Sequence, residues 1–309
     1  MPARFRFSAS VGRLPIDSLV DTALRAEELG YSAVTIPDHL DDQAAPLIGL
    51  TAVATATSTI RVLPLVLAND YRHPVVLAKE LATLDVLSNG RLEFGIGAGW
   101  MTTDYEFSGI QHDGPGARIS RLRESVDIIT RLLAGDQVDI DGEHYRVHGA
   151  HAEPHPVQLG GIPLMLAGGK PKMLSLAAEK ADIVGINASL TAGVIDERAG
   201  ADCTPERTDR KLEWVRDAAG SRFDGIELQT RVHLAMITDD REKTASELAP
   251  LLGIDPQDAL ESPHALVGTV DQCVESVQRW RDRWGISYVA IDADQMDAFA
   301  PVIEKLTGS

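Results

Sequence analysis

Four short stretches of this chain bring together residue types that handle protons or anions. In Pro37-Asp38-His39 an imidazole stands beside a carboxylate. Such a ring can be held in one tautomer and work as a general acid or base near neutral pH. The same residues would also suit a surface turn in which Asp38 caps the next helix. Arg72 and His73 precede Pro74, which opens a helix, so the pair could bind an anion or simply cap that helix. Gly95-Ile96-Gly97-Ala98-Gly99-Trp100 looks at first like a dinucleotide turn. Its spacing is G-x-G-x-G and no helix begins at once, so the Rossmann reading is set aside. Glycines there do let a flat ligand approach the backbone. Ala167-Gly168-Gly169-Lys170-Pro171 puts two glycines and a lysine at a helix start. Bare N–H groups, a positive dipole end and one cation make a phosphate site there; an ordinary tight turn is the alternative.

Other chemistries find less support. His144, His148, His151 and His155 lie in a hairpin and the proline-bearing segment after it, without an H-E-x-x-H motif or a cysteine, so no metal site is expected. Neither G-x-S-x-G nor a cysteine-nucleophile signature is present, which removes the usual grounds for a hydrolase.

The elements that must position these residues follow from periodicity. Strands are expected at Phe5–Ser10, Ala33–Ile36, Arg61–Leu67, Leu92–Ile96, Leu164–Ala167, Ile183–Ile186, Ile226–Ile237 and Tyr288–Ile291. Between them, Ile16, Leu19, Val20, Ala23 and Leu24 fall on one helix face, with Pro15 before and Gly30 after. Further helices are expected at Leu47–Thr57, from Pro74 to Asn89-Gly90, and at Pro171–Lys180, Pro205–Ala219, Arg241–Leu252, Val270–Trp284 and Asp294–Leu306. Strand starts recur about every thirty residues in the first part of the chain, as in consecutive βαβ units of a parallel sheet. Eight candidate strands favour a closed barrel over an open sheet. Two insertions interrupt the alternation: a Gly-rich loop near 97–117, and a segment near 136–160 holding a hairpin, Val138–Val147, that turns at Asp141-Gly142.

Composition bounds the rest. The chain has 309 residues, 44% of them hydrophobic, enough for one barrel domain spanning 1–309 with a sizeable core. A formal net charge of -17 argues against nucleic-acid or anionic-membrane partners, which need a basic surface. A local cation or helix N-terminus can still hold an anionic cofactor. Cys203 and Cys273 stand far apart without a C-x-x-C pattern, as reduced thiols would. No apolar leader or membrane-length run is present, so a cytoplasmic location is expected.

Taken together and in order, these strand ends resemble the luciferase-like monooxygenase superfamily, and within it the F420-dependent oxidoreductase branch. The likeness is carried by Ile36-Pro37-Asp38-His39-Leu40, by the stretch from Arg72 to Lys79, and by Ala82 to Leu92. It continues through Phe94 to Trp100, Ala167-Gly168-Gly169 and Ala181-Asp182-Ile183-Val184-Gly185, and the segment from Leu77 to Trp100 is its most specific part. The resemblance implies a (β/α)8 TIM barrel of the α/β class with the cofactor ring across its C-terminal mouth. It implies His39 near the reactive carbon with Asp38 beside it as the catalytic residues, and a bulge with a non-proline cis peptide near Leu65-Val66 supporting the ring. The phosphate grip falls on Ala167, Gly168, Gly169 and Lys170, and Gly97, Ala98, Gly99, Gly185 and Ile186 line the cofactor. Coenzyme F420 is the implied cofactor, with FMN as the alternative.

The chain also departs from its relatives. F420-dependent sugar-phosphate dehydrogenases have a glutamate where Trp100 stands, and an aromatic residue within the stretch that here reads Leu40-Asp41-Asp42-Gln43. Oxidation of a sugar phosphate or simple alcohol by that machinery is therefore not expected. The expected function is hydride transfer between F420 and a small organic substrate, with His39 handling the proton. The alternatives are an FMN-dependent monooxygenase served by a separate reductase, and a non-catalytic barrel that only binds the cofactor. Relatives of this kind commonly form homodimers, and the same is expected here.

Overall fold

The computed structural model describes residues 4–12, 15–190, 193–194 and 197–307. The chain begins with β1 (Arg6–Ser10), α1 (Leu19–Glu28), β2 (Ala33–Ile36) and α2 (Pro46–Ala56). Every residue of β2 is buried, because helices cover a parallel sheet outside while side chains fill it inside. The third stave comes in two pieces, β3 (Arg61–Pro64) and β4 (Leu67–Ala68), parted at Leu65-Val66, whose peptide bond is cis. The helix α3 (Pro74–Leu87) follows, with Pro74 in the first turn, where a missing N–H costs nothing. Asn89 and Gly90 end it with φ of 54° and 76°, a left-handed turn suited to asparagine and glycine.

After β5 (Phe94–Gly97) come α4 (Thr102–Ser108), α5 (Pro115–Leu133) and the antiparallel hairpin β6 (Val138–Asp141) and β7 (Arg146–Ala150). The barrel resumes with β8 (Leu164–Gly168), α6 (Pro171–Lys180), β9 (Ile183–Ile186), α7 (Glu197–Ala201), α8 (Pro205–Ala219) and β10 (Glu227–Arg231). Then β11 (Leu234–Ile237), α9 (Arg241–Leu252), α10 (Pro256–Glu261) and β12 (Ala265–Gly268) lead to α11 (Val270–Trp284), β13 (Ile286–Asp292) and α12 (Met296–Leu306).

Neighbours in the main sheet run β3-β2-β1-β13-β10-β9-β8-β5-β4. The two ends of that order are consecutive pieces of one stave, and Val62 in β3 bridges Leu92 just before β5. The sheet thus closes on itself as an α/β barrel in which the nine strands make eight staves. All its pairs are parallel, so every C-terminal strand end opens on one face. Ala33, Leu63, Met165, Ile183 and Tyr288 form a buried cluster of their own, packed by Leu65 and Ala167, so the lumen is filled rather than open. Among the described residues no helix is long and apolar enough to cross a membrane.

The structure corrects the sequence reading at three places. Ile226–Ile237, expected as one strand, is β10 and β11; β10 pairs with β9 only as far as Thr230 and with β13 as far as Arg231, where the chain leaves the sheet. Instead β11 turns away to pair in parallel with β12, a strand the periodicity did not single out. The Gly-rich stretch near 97–117 contains the short helix α4, and the 19-residue α5 follows it.

At the N-terminal end of the barrel four charges interlock. Arg6 reaches both Glu93 and Glu227, the latter at 2.6 Å, and Arg61 pairs with Glu93 at 2.7 Å. The Arg6 guanidinium lies 4.3 Å from the centre of the Tyr288 ring.

Candidate active site

The predicted site residues come together at the opposite, C-terminal end. They occupy five adjoining staves: the end of β2, the break between β3 and β4, and the ends of β5, β8 and β9. Ala68 pairs with Gly97 across β4 and β5, and Gly97 has no Cβ where one would come within 3.0 Å of Val66. On the other side Ala167 faces Gly185 and Gly168 faces Ile186. A side chain on Gly169 would run into the backbone of Ala188 at 2.5 Å, so that turn must be bare to pack against the end of β9. Leu65, Val66, Ala98, Gly99, Ala167 and Gly168 are only half-buried, and together they offer a backbone-rich arc at the mouth. Gly99, at φ 73°, would put a side chain into the Tyr105 hydroxyl.

The carboxylate at His39 is not its sequence neighbour. His39 Nδ1 lies 2.8 Å from Asp104 Oδ2, and Asp104 Oδ1 accepts from the Leu40 N–H at 3.1 Å. Burial, and then the nearby Asp104, push the Tyr71 phenol well above its ordinary range. Trp100 stands edge-on to the His39 ring, with centroids 5.5 Å apart. Asp38, buried at 5% exposure, takes the Ala68 N–H at 3.0 Å and pairs with Arg72 at 2.5 Å. Those two contacts tie the end of β2 to the start of β4 and to the turn after it. His73 accepts from the Val75 N–H at 3.3 Å, which is the capping role open to it from sequence.

Beneath the arc, Arg118 donates to the backbone carbonyl of Gly99 and, at 3.4 Å, to that of Ala98. This buried cation holds the loop after β5 from below. Tyr105 donates to Asp70 at 2.9 Å, and Arg121 pairs with Asp70 and Asp113, each at 2.9 Å. His112 stacks on Tyr105 at 4.2 Å, and desolvation, then nearby Arg118, lower its affinity for a proton.

The predicted phosphate turn sits at the start of α6. Lys170 occupies the N-cap position without a side-chain cap, which leaves first-turn N–H groups free for an external acceptor. Its own side chain is exposed and has no ion-pair partner among the described residues. Beside it, the nearly inaccessible Lys211 pairs with Asp202 at 3.0 Å, and Asp202 also accepts from the Ser189 N–H at 2.9 Å. The far side of the mouth was not read from sequence. There Arg231 joins Asp292 at 2.5 Å and Ser10 at 2.8 Å, linking the ends of β10, β13 and β1. The four hairpin-region histidines gather no metal set, and no group of three such ligands occurs among the described residues. Cys203 and Cys273 are buried free thiols, pushed up by desolvation to about 11 and about 12.

These features fit an extended anionic cofactor with a flat ring. The half-buried arc presents backbone to a ring, and the uncapped helix start offers N–H donors for a phosphate. Comparison with known proteins agrees in family. A family model described as luciferase-like monooxygenase matches residues 2–199. The F420-dependent glucose-6-phosphate dehydrogenase of Nocardia farcinica is 28% identical over 310 residues, covering 94% of this chain and 85% of that protein. The 5,10-methylenetetrahydromethanopterin reductase of Archaeoglobus fulgidus is 38% identical over 164 residues, 53% of this chain and 47% of that protein. Among solved structures, the coenzyme F420 dependent tetrahydromethanopterin reductase of Methanopyrus kandleri superposes with a TM-score of 0.78 at 18% identity, covering 99% of each chain.

Proposed function

The chain belongs to the luciferase-like monooxygenase family, and we propose that it is an oxidoreductase that uses coenzyme F420 to exchange a hydride with a small organic substrate. The observation that carries this reading is His39 at the barrel mouth, held by Asp104 at 2.8 Å beside a half-buried, backbone-rich arc. Curated relatives described as F420-dependent, similar over 94% of this chain, support the choice of cofactor.

When bound, F420 supplies two-electron hydride chemistry. The residues that would hold it are Leu65, Val66, Gly97, Ala98 and Gly99, together with Gly185 and Ile186. Ala167, Gly168, Gly169 and the free N–H groups of α6 would take the phosphate, with Lys170 adding charge. His39 moves the proton that accompanies the hydride. Asp38 supports the site by anchoring Arg72 and the Ala68 N–H. Trp100 closes the side on which sugar-phosphate dehydrogenases place a carboxylate, so the substrate meets an apolar wall there. The whole chain acts as one cytoplasmic barrel domain, with 97–117 and 136–160 as insertions.

Titration of the purified protein with F420 and, separately, with FMN tests this through the quenching of tryptophan fluorescence. Tight F420 binding followed by turnover on a substrate panel is the expected result. Submicromolar binding of FMN alone would instead favour an O2-using monooxygenase with a reductase partner. F420 binding without any turnover would favour a carrier.

A further inference from the structure

We propose that Asp104 is a positioning residue that fixes the His39 ring with its proton on Nδ1, leaving Nε2 as the atom that exchanges a proton with the substrate. The inference rests on the reading of His39 as the proton-handling group, and adds which nitrogen does the work and what decides it.

The argument runs through donors and acceptors. An ionised carboxylate can only accept hydrogen bonds. Asp104 receives the Leu40 N–H at 3.1 Å on one oxygen and His39 Nδ1 at 2.8 Å on the other. Its side chain is 3% exposed, so water competes little for these positions. Facing an acceptor, Nδ1 must be the donor of the pair, and a neutral imidazole has only one N–H to give. The other nitrogen therefore bears the lone pair. Nε2 has no partner among the described residues, and the His39 side chain keeps 17% of its surface exposed at the mouth. Trp100, edge-on at 5.5 Å, limits how far the ring can swing.

The resting site thus presents an acceptor. In the oxidising direction Nε2 would take the proton of a substrate O–H or N–H, with bound F420 supplying the two-electron acceptor for the hydride. In the reducing direction the doubly protonated ring returns the proton from Nε2. Asp104 accepts from Nδ1 and stabilises the charged ring that forms, as an orienting carboxylate does beside a catalytic imidazole. Asp38 does not hold the ring: its carboxylate takes Arg72 and the Ala68 N–H, while His39 Nδ1 meets Asp104.

The test is nitrogen NMR of histidine-labelled protein at a pH where the ring is neutral, with His39→Ala identifying the signal. Wild-type protein is expected to show a bare Nε2 and a protonated Nδ1. In Asp104→Asn, whose amide can accept or donate, that pure tautomer should be lost, and kcat should fall roughly 10–100-fold while KM changes little. Asp104→Glu should restore most of both if it folds with the same melting temperature. A wild-type proton on Nε2, or an Asp104→Asn variant with unaltered ring signals and kcat, would overturn the proposal. Undiminished turnover in His39→Ala would instead overturn the role of His39, a result separate from the ring spectrum.

Discussion

The barrel carries buried charge at both ends, and the two ends use it differently. At the floor Arg6, Arg61, Glu93 and Glu227 answer one another, with the Tyr288 ring below Arg6. At the mouth the carboxylates of the pairs Asp38–Arg72 and Asp104–His39 are 3% exposed, as buried as Glu93 and more so than Glu227 at 23%. Each floor carboxylate meets an arginine, a permanent cation. One mouth carboxylate meets an imidazole, whose second nitrogen has no partner among the described residues. A network of fixed charges resists change and holds strand starts together. A network ending on a titratable ring with one open nitrogen can pass a proton. Barrel enzymes divide labour along this same axis, with stability at the strand starts and chemistry at the strand ends.

The sharpest way to break this contrast is to exchange the effects. Replacing His39 with alanine should lower kcat by ~10²–10⁴, with F420 affinity and melting temperature nearly unchanged. Steady-state kinetics and a thermal melt on the same preparation check this. A variant that keeps its rate would remove the chemistry from the mouth. At the floor, Glu93→Ala leaves Arg6 and Arg61 without their shared partner, one that is only 2% exposed. Breaking a buried pair in this way costs roughly 3–5 kcal/mol, read by denaturant unfolding, while kcat well below the melting temperature should stay as in wild type. A large loss of kcat in the folded variant would show that the two ends are coupled.

How much of this contrast can be read without coordinates depends on how local each feature is. Ala33–Ile36 and Ile183–Ile186 are seen as strands at the expected bounds, because buried parallel strands are continuous apolar runs. The cis peptide at Leu65-Val66 lies where family resemblance put it. Helix α5 was not singled out, although Leu122, Val126, Ile129 and Leu133 repeat at helical spacing and are buried; the glycines before it drew the eye to a loop. In the site, His39 and the turn at Gly168-Gly169 announce themselves by residue type. Asp104 does not. It lies 65 positions from His39, in a helix hidden within a stretch read as loop, and the adjacent Asp38 was the nearer candidate. The floor network was missed for the same reason, since Arg6 and Glu227 stand 221 positions apart. Only closure of the barrel brings such residues together.

A gentler probe asks whether the mouth has an anion grip that the floor lacks. Lys170 is exposed at the head of α6, so its contribution to binding a cofactor phosphate is that of a surface charge. Lys170→Ala should weaken F420 binding by up to roughly tenfold at low salt. The gap between variant and wild type should close as ionic strength rises and the Debye length shrinks. Equal affinities at low salt would leave the grip to the backbone N–H groups alone.

The smallest effect belongs to the floor and concerns pH. Burial raises the Glu227 carboxyl above its ordinary value, against the opposing pull of Arg6. The folded chain therefore holds this proton more tightly than the unfolded chain, whose glutamates titrate near ~4.3. By linkage, the stabilisation from that proton is fully present below the unfolded value and is lost as pH rises through the folded one. Glu227→Gln removes the titrating group and keeps its shape. The stability of wild type minus that of the variant should thus decline as pH climbs upward from ~4.3, measured by melts at matched ionic strength. A difference that instead grew with pH would mean that Arg6 outweighs burial at this position. Glu227 would then be held as firmly ionised as a salt bridge requires, and the floor would owe more to attraction between charges than to their exclusion from water.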